Sequence, residues 1–172
     1  MTKTDELNVS TSAIDNKLPK TIKMVITDFD GIVTDNCVYI ADDGKISRKL
    51  NFKDVMGFSI LRKNNYMMGI VSGEGNAAIE ILAKKFQIEE VHQNIRIKID
   101  VLKNIVEKYN LTKDEFVYIG DDTNDLECLN FAKYKITVPH AVDKIKAVDG
   151  IQITENVAGS GAFREVADCL VG

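Results

Sequence analysis

The feature that most constrains this chain is a short apolar run that ends in two carboxylates. Residues 24–27 read Met-Val-Ile-Thr, the pattern of a buried strand, and Asp28, Phe29, Asp30 and Gly31 follow directly. Because glycine lets the backbone turn tightly, both carboxylates can be aimed at one point beyond the strand end. This arrangement suits a divalent cation and an electrophilic phosphorus atom better than it suits a core. An exposed turn with incidental aspartates is the competing interpretation.

A second acidic run repeats the pattern later in the chain. Residues 116–119 read Phe-Val-Tyr-Ile, and the segment that follows Gly120 contains Asp121, Asp122 and Asp125. Oxygen ligands with few histidines or cysteines nearby favour magnesium over zinc. The two runs together predict one Mg²⁺ site built from two adjacent strands.

Composition and charge narrow the class of protein. The chain has 172 residues with 45% hydrophobic content, which predicts one packed domain over residues 21–172, preceded by a flexible extension over residues 1–20. The 22 basic residues are scattered among 26 acidic ones, and no apolar run could span a bilayer, so neither nucleic acid nor membrane is an expected partner. Three widely spaced cysteines favour reduced thiols in the cytoplasm.

The rest of the chain alternates predicted helices and strands. A β-hairpin is expected over residues 38–52, and Asp54 is a candidate helix cap. Further strands are expected at 66–71, 90–91, 116–119, 135–138 and 151–154, and further helices at 79–86, 95–109, 124–133, 140–147 and 161–170. The pattern predicts an α/β fold, a Rossmann-like three-layer sandwich with a central, mostly parallel sheet, a projecting hairpin and no separate cap domain. Ligands of such sheets bind at the carboxyl ends of the strands.

Residues at those strand ends have the chemistry for phosphoryl transfer. Asp28 is a plausible nucleophile, and Asp30 could act as general acid and base for the leaving oxygen and the attacking water. Ser72 and the backbone N–H of Gly73 could bind phosphate oxygens at a helix start. Lys98 could place a cation against the phosphate and Asp28, although a surface lysine with a solvated tip is the common alternative.

These residues resemble the four motifs of haloacid-dehalogenase-type phosphatases. The matching positions are Asp28-Phe29-Asp30-Gly31-x-x-Thr34, Ser72, Lys98, and Gly120-Asp121-Asp122-x-x-Asp125. The resemblance covers residues 24–170 and implies an aspartyl-phosphate intermediate on Asp28. It also implies Mg²⁺ bound by Asp28, the carbonyl oxygen of Asp30 and Asp121, with Asp122 or Asp125 supporting these ligands from behind.

The spacing of the motifs leaves little room for a lid. Only 41 residues separate Asp30 from Ser72, and 22 separate Lys98 from Asp121, so neither gap holds a cap domain. The hairpin at 38–52 is the projecting element that could cover the site, and a lone hairpin is marginally stable. We therefore expect a homo-oligomer in which hairpins meet. The subgroup that the chain most resembles is tetrameric: the capless phosphatases of 3-deoxy-octulosonate 8-phosphate and nonulosonate (sialic-acid-type) 9-phosphates.

The resemblance also suggests a substrate, a phosphorylated 3-deoxy-2-keto sugar acid contacted by Thr34, Glu74 and Lys85. Glu74 after Ser72-Gly73, followed by Lys85, is similar to the nonulosonate pattern, so the 9-phosphate is favoured and the octulosonate 8-phosphate is the alternative. Glu74 could also be only a first-turn residue favoured by the helix dipole. Leu82 stands where both groups usually have arginine, so one expected cation is missing.

Two other classes of protein remain open at this point. A non-catalytic oligomerisation module related to sialic-acid-activating synthetases would share the fold, and a receiver domain would also cluster aspartates around Mg²⁺. The order of the motifs fits the receiver domain poorly. His92 and His140 are expected to be loop or helix-end residues remote from every motif.

Overall fold

The computed structural model describes residues 12–14 and 18–172. The strands are β1 Ser12–Ala13, β2 Met24–Thr27, β3 Tyr39–Ile40, β4 Ile46–Ser47, β5 Met67–Val71, β6 Glu90–His92, β7 Phe116–Ile119, β8 Tyr134–Thr137 and β9 Gln152–Ile153. The helices are α1 Phe52–Lys63, α2 Ala77–Phe86, α3 Lys98–Lys108, α4 Leu126–Phe131, α5 Asp143–Lys146 and α6 Ala162–Val171, with a 3₁₀ turn at Thr123–Asp125.

A central sheet of seven strands organises the molecule. Its order is β1-β9-β8-β7-β2-β5-β6, and each of its pairings is parallel. Thr27 at the end of β2 lies level with Ile119 of β7 and Ile70 of β5. The segments that follow these three strands therefore leave the sheet side by side. The predicted α/β fold with a mostly parallel sheet is confirmed.

Helices cover the sheet on both faces. On one side α1 packs against α2 and α6, and the ring of Phe58 stacks on Phe163 with 4.2 Å between centroids. On the other side α3 packs against α4. Every residue of β2 and β7 is buried, and because strands covered on both faces favour apolar side chains, only Thr27 and the hydroxyl of Tyr118 interrupt their apolar runs. No helix within the described ranges is long and apolar enough to cross a bilayer.

The predicted hairpin forms and projects from the domain. Tyr39 pairs with Ser47 and Ile40 with Ile46 across β3 and β4, and Gly44 adopts φ +81° in the connecting turn. Tyr39, Ile40 and Ile46 are each more than half exposed. Between Asp30 and Ser72 the chain forms only this hairpin, α1 and β5, so no separate cap domain lies there.

The predicted extension over residues 1–20 lies partly outside the described residues. Where it is described, Ser12 and Ala13 pair with β9, and Ile14 and Leu18 are buried. This part packs on the domain, where its apolar side chains gain from burial. The domain boundary at residue 20 stays a prediction.

Several helix limits differ from the sequence expectation. Asp54 does not cap α1; that helix starts at Phe52, where the Asn51 side chain accepts a hydrogen bond from the backbone of Lys53 at 2.9 Å. The predicted helix at 124–133 begins instead as a 3₁₀ turn, whose first amide donates to the side chain of Asp122. The helix expected at 140–147 shortens to α5. At each of these points the helix limit is set by local capping or turn geometry rather than by the periodicity of apolar residues.

Candidate active site

The ends of β2, β5 and β7 form a polar cavity of about 190 Å³. The residues that line it are Asp28, Asp30, Asn36, Ser72, Gly73, Glu74, Asp121, Asp122 and Asn124. The structure thus brings together both acidic runs and the Ser72 segment, which lie up to about ninety residues apart in the chain. Parallel register produces this convergence, since each group directly follows a strand of the same sheet.

Two glycines allow the strand ends to approach. A Cβ atom at Gly31, where φ is +90°, would lie 2.1 Å from Oδ2 of Asp121. A Cβ atom at Gly120 would lie 2.5 Å from Cγ of Asp125. Any side chain at either position would force the carboxylates apart, so glycine is required for the acidic cluster to form.

The acidic cluster fits a cation. Carboxylate oxygens of Asp28, Asp121 and Asp125 lie within 4.8 Å of one another. Oδ1 of Asp121 is buried and accepts no hydrogen bond from the described residues, which is costly for a carboxylate unless a cation or a donor reaches it. These oxygens form a hard donor set suited to Mg²⁺.

Asp125 has a different role, because its oxygens are already occupied. Its Oδ1 accepts hydrogen bonds from Lys98 Nζ and the Tyr118 hydroxyl, both at 2.8 Å. Its Oδ2 accepts from the backbone N–H groups of Asp121 at 3.2 Å and Asp122 at 3.4 Å. Asp125 therefore anchors Lys98, Tyr118 and the backbone that follows β7, and the carboxylate oxygens of the cluster left without a donor among the described residues belong to Asp28 and Asp121.

Crowding of buried carboxylates shifts their proton affinities. Burial, followed by repulsion from Asp125, raises the pKa of Asp121 to about 7. Burial and Asp125 also raise the pKa of Asp28 well above its usual value, although Lys98 opposes the shift. A bound divalent cation would reverse this balance by favouring the ionised forms.

Lys98 supplies a fixed positive charge beside Asp28. It is the first residue of α3, is only 1% exposed, and its Nζ lies 3.0 Å from Oδ1 of Asp28. Burial opposes its charge, but Asp125 and Asp28 outweigh burial and raise the pKa of Lys98. The alternative interpretation of Lys98 as a solvated surface lysine is therefore wrong.

The carboxylate of Asp30 is held by two side chains. Thr34 Oγ1 donates to Oδ1 at 2.9 Å, and Arg48 Nε donates to Oδ1 at 2.9 Å and to Oδ2 at 3.0 Å. Thr34 is fully buried and is not among the residues that line the cavity, so the structure does not bring it to the expected substrate position within one chain. Thr34 orients Asp30 instead.

The remaining predicted residues divide between the cavity and the surface. Ser72, Gly73 and Glu74 line the cavity, and Ser72 Oγ accepts a hydrogen bond from the backbone of Glu74 at 3.3 Å. Lys85 lies in the last turn of α2, with Nζ 5.3 Å from the ring centroid of Phe86, and is not among the lining residues. The structure therefore does not bring Lys85 to the site within one chain.

A second cavity shows what the sequence analysis missed. It measures about 290 Å³ and shares Asn36 and Asp121 with the first cavity, and His140 lines it. The expectation that His140 is remote from the motifs is wrong, because β8 lies beside β7 and His140 follows the end of β8. Its position three residues beyond a strand was the available signal. Tyr118 and Arg48 were also missed, since neither belongs to a recognisable motif.

Comparison with known proteins gives consistent similarities. A family model described as haloacid dehalogenase-like hydrolase matches residues 65–163. The chain is 24% identical over 150 residues to a 3-deoxy-D-manno-octulosonate 8-phosphate phosphatase of Salmonella typhi, covering 87% of this chain and 79% of the relative. It is 26% identical to the protein of the same name from Haemophilus influenzae, covering 87% and 83%.

Solved structures show the same similarity in three dimensions. A HAD family hydrolase from Streptomyces avermitilis is 32% identical with a TM-score of 0.83, covering 91% of this chain and 90% of that chain. The octulosonate 8-phosphate phosphatase of Moraxella catarrhalis, solved with a magnesium ion, a phosphate ion and KDO, is 29% identical with a TM-score of 0.81. That match covers 86% of this chain and 84% of the other.

Proposed function

Because the chain belongs to the haloacid dehalogenase-like hydrolase family and is a phosphatase, we propose that it hydrolyses the terminal phosphate ester of a 3-deoxy-2-keto sugar acid. The observation that carries this proposal is the convergence of Asp28, Lys98 and Asp121 at one sheet edge. Phosphoryl transfer needs mainly positioning and charge neutralisation, and this cluster supplies both.

The first step forms a covalent intermediate. A carboxylate oxygen of Asp28 bonds to phosphorus while the bond between phosphorus and the sugar oxygen breaks, and Asp30 gives that oxygen a proton. Oδ1 of Asp28 accepts hydrogen bonds from Lys98 at 3.0 Å and from the backbone of Phe29 at 2.7 Å. No described residue donates to its Oδ2, which is therefore available for reaction.

The second step returns the enzyme to its starting state. Asp30 takes a proton from water, the water oxygen bonds to phosphorus, and the bond from phosphorus to Asp28 breaks, releasing inorganic phosphate. Lys98 stays beside Asp28 throughout, because its contact with Asp125 anchors it in the core. Ser72 and Gly73 line the cavity, which supports the proposal that Ser72 Oγ and the Gly73 N–H bind phosphoryl oxygens.

Mg²⁺ is the proposed cofactor, held by Asp28, the Asp30 carbonyl and Asp121. The unpartnered buried Oδ1 of Asp121 supports this assignment, as does the magnesium ion in the Moraxella catarrhalis protein. When bound, Mg²⁺ supplies positive charge that neutralises phosphoryl oxygens.

The first candidate substrate is 3-deoxy-D-manno-octulosonate 8-phosphate. The similar proteins from Salmonella typhi, Haemophilus influenzae and Moraxella catarrhalis are phosphatases of this ester, which supports this choice. The sequence pattern favoured a nonulosonate 9-phosphate instead, and one observation keeps it as the second candidate: Glu74 lines the cavity, where its carboxylate could accept hydrogen bonds from sugar hydroxyls.

A direct kinetic comparison tests both candidates. Phosphate release would be measured with Mg²⁺ on each ester, and kcat/KM compared. We expect the eight-carbon ester to be preferred; a clear preference for the nine-carbon ester would select the second candidate. Absence of Mg²⁺-dependent hydrolysis of any phosphate ester would contradict phosphatase activity and favour the non-catalytic oligomerisation module.

The exposed hairpin also supports a homo-oligomer, with a tetramer as the proposed state. Apolar side chains on both of its strands are open to solvent in the single chain, and pairing with other hairpins would bury them. Light scattering of the purified protein tests this proposal: a monomer at micromolar concentration would contradict it. The free thiols of Cys37, Cys128 and Cys169 fit the cytoplasm as its compartment.

A further inference from the structure

The hairpin reaches the chemistry through Arg48. This residue directly follows β4, and its Nε donates to both carboxylate oxygens of Asp30 at 2.9 and 3.0 Å. The two side chains are only 12% and 20% exposed, so solvent screens the contact little. The pair therefore connects the projecting hairpin to Asp30, the residue proposed to protonate the leaving group.

The pair of Arg48 and Asp30 also competes with substrate binding. Oδ1 of Asp30 already accepts from Thr34 and Arg48, and Oδ2 accepts from Arg48. The leaving oxygen of a phosphate ester must come within hydrogen-bond distance of one of these oxygens. Arg48 Nε has a single N–H, which is shared between the two oxygens, so a leaving oxygen that approaches either of them competes with this contact.

The cavity has few other cations for an anionic substrate. Its charged lining residues are all acidic: Asp28, Asp30, Glu74, Asp121 and Asp122. Lys98 is fully buried and already occupied by two carboxylates, one of them Asp125. Leu82, where a cation was expected from the resemblance, is buried in the core. Among the described residues of one chain, none that lines the cavity offers a cation to a substrate carboxylate, and Arg48 of the hairpin is held beside it by Asp30.

Arg48 has the donors for that role. Its hydrogen bonds to the described residues are all made by Nε, so Nη1 and Nη2 remain available for a planar anion. Each hairpin strand has only two residues, and Lys49 pairs with Asp35 at 2.5 Å beside the site. Such a short hairpin can shift by the small distance that an exchange of partners requires.

We propose that Arg48 is a specificity residue that holds Asp30 in the resting enzyme and moves to the carboxylate of the sugar acid when the substrate binds. This inference rests on the proposed function. The enzyme would therefore discriminate in favour of esters that carry a carboxylate, because an ester without one offers Arg48 no new partner.

Kinetics on two esters test the proposal. The enzyme and R48Q would be compared on the sugar-acid phosphate and on p-nitrophenyl phosphate, whose leaving group has no carboxylate. We expect R48Q to raise KM for the sugar-acid ester by about 10- to 100-fold, since a charged hydrogen-bond pair is lost. We expect the loss of kcat/KM for p-nitrophenyl phosphate to be at least about 10-fold smaller than the loss for the sugar-acid ester, and R48K to recover part of the sugar-acid affinity through its charge.

Arg62 offers a matched control. It forms a partly exposed pair with Glu89 at 2.9 Å, and neither residue lines the cavity, so R62Q should leave both esters unaffected. Inhibition by the dephosphorylated sugar acid gives a second readout, and R48Q should weaken it by the same factor as KM. Equal losses on both esters would overturn the proposal in favour of a role in orienting Asp30, and no change on either would make the pair incidental. An enzyme inactive on every ester would instead defeat the proposed function itself.

Discussion

Two buried aspartates of this domain have opposite surroundings. Asp54 lies under the start of α6, where its carboxylate accepts hydrogen bonds from the backbone N–H groups of Gly161 and Phe163, both at 2.9 Å, and of Arg164 at 3.3 Å. Asp121 is also buried, yet its Oδ1 accepts nothing from the described residues. One carboxylate is satisfied by the protein and the other is not.

The contrast separates a structural carboxylate from a binding one. Burial raises the pKa of both residues, but the three backbone donors partly compensate at Asp54, whereas at Asp121 the neighbouring Asp125 and Asp122 add repulsion. Burying a carboxylate without donors is costly, so an arrangement of this kind makes sense where a cation completes it. We therefore expect changes at Asp54 to affect folding and changes around Asp121 to affect activity.

The largest expected effect is the loss of activity in Asp28→Asn. An amide cannot form the acyl-phosphate bond, so kcat should fall by about 10⁴-fold or more. Steady-state kinetics measure this, and denaturant unfolding should show a fold at least as stable as the parent, because a crowded charge has been removed. Activity within about 10-fold of the parent would remove Asp28 from the chemistry.

Asp54→Asn should show the opposite behaviour. The amide group of asparagine faces a backbone N–H that the carboxylate had satisfied, and the free energy of unfolding should fall by about 2 kcal/mol. Urea titration measures the loss, and kcat per folded molecule at low temperature should stay close to that of the parent. If kcat fell and the unfolding midpoint did not, the division between the two carboxylates would be wrong.

A smaller effect is expected from Tyr118→Phe. The lost hydroxyl donates to Asp125, which anchors Lys98, so kcat should fall by about 10-fold with little change in KM. Tyr66→Phe is the matched control, since its hydroxyl donates to the carbonyl of Leu170 at 3.0 Å, outside the site. Both variants should lose about 1 kcal/mol of stability. Equal kcat values in the two variants would mean that Tyr118 contributes only to folding.

The smallest expected effect is a change with pH in how much Mg²⁺ raises the melting temperature. Because the pKa of Asp121 is raised to about 7, the folded, metal-free protein binds this proton more tightly than the unfolded chain does. The corresponding stability is fully present below about pH 4 and is lost as the pH rises through about 7. Mg²⁺ binds the ionised form, so the rise in melting temperature on exchanging EDTA for Mg²⁺ should grow from about pH 5.5 to about pH 8.

Asp121→Asn is the control for that measurement. It removes the titrating carboxylate, so the metal-free melting temperature should rise and the response to Mg²⁺ should nearly disappear at each pH. A response to Mg²⁺ of the same size at every pH in the parent protein would show that protons and metal do not compete at this carboxylate.

The sequence by itself determined the fold class and the positions of both acidic runs. Strands covered on both faces must be apolar along their length, and a strand that ends in Gly or Asp leaves a visible boundary, so β2 and β7 could be located locally. The motifs around Asp28 and Asp121 could be found for the same reason.

Only the tertiary structure decided which distant groups meet. Asp54 reaches α6 across more than one hundred residues, Arg48 reaches Asp30 from the hairpin, and His140 lines the same cavity as Asp121 because β8 neighbours β7. None of these contacts follows from local periodicity, which specifies the elements but carries no information about the donor that a side chain will find across the sheet. The order and register of the strands determine which distant residues lie close together.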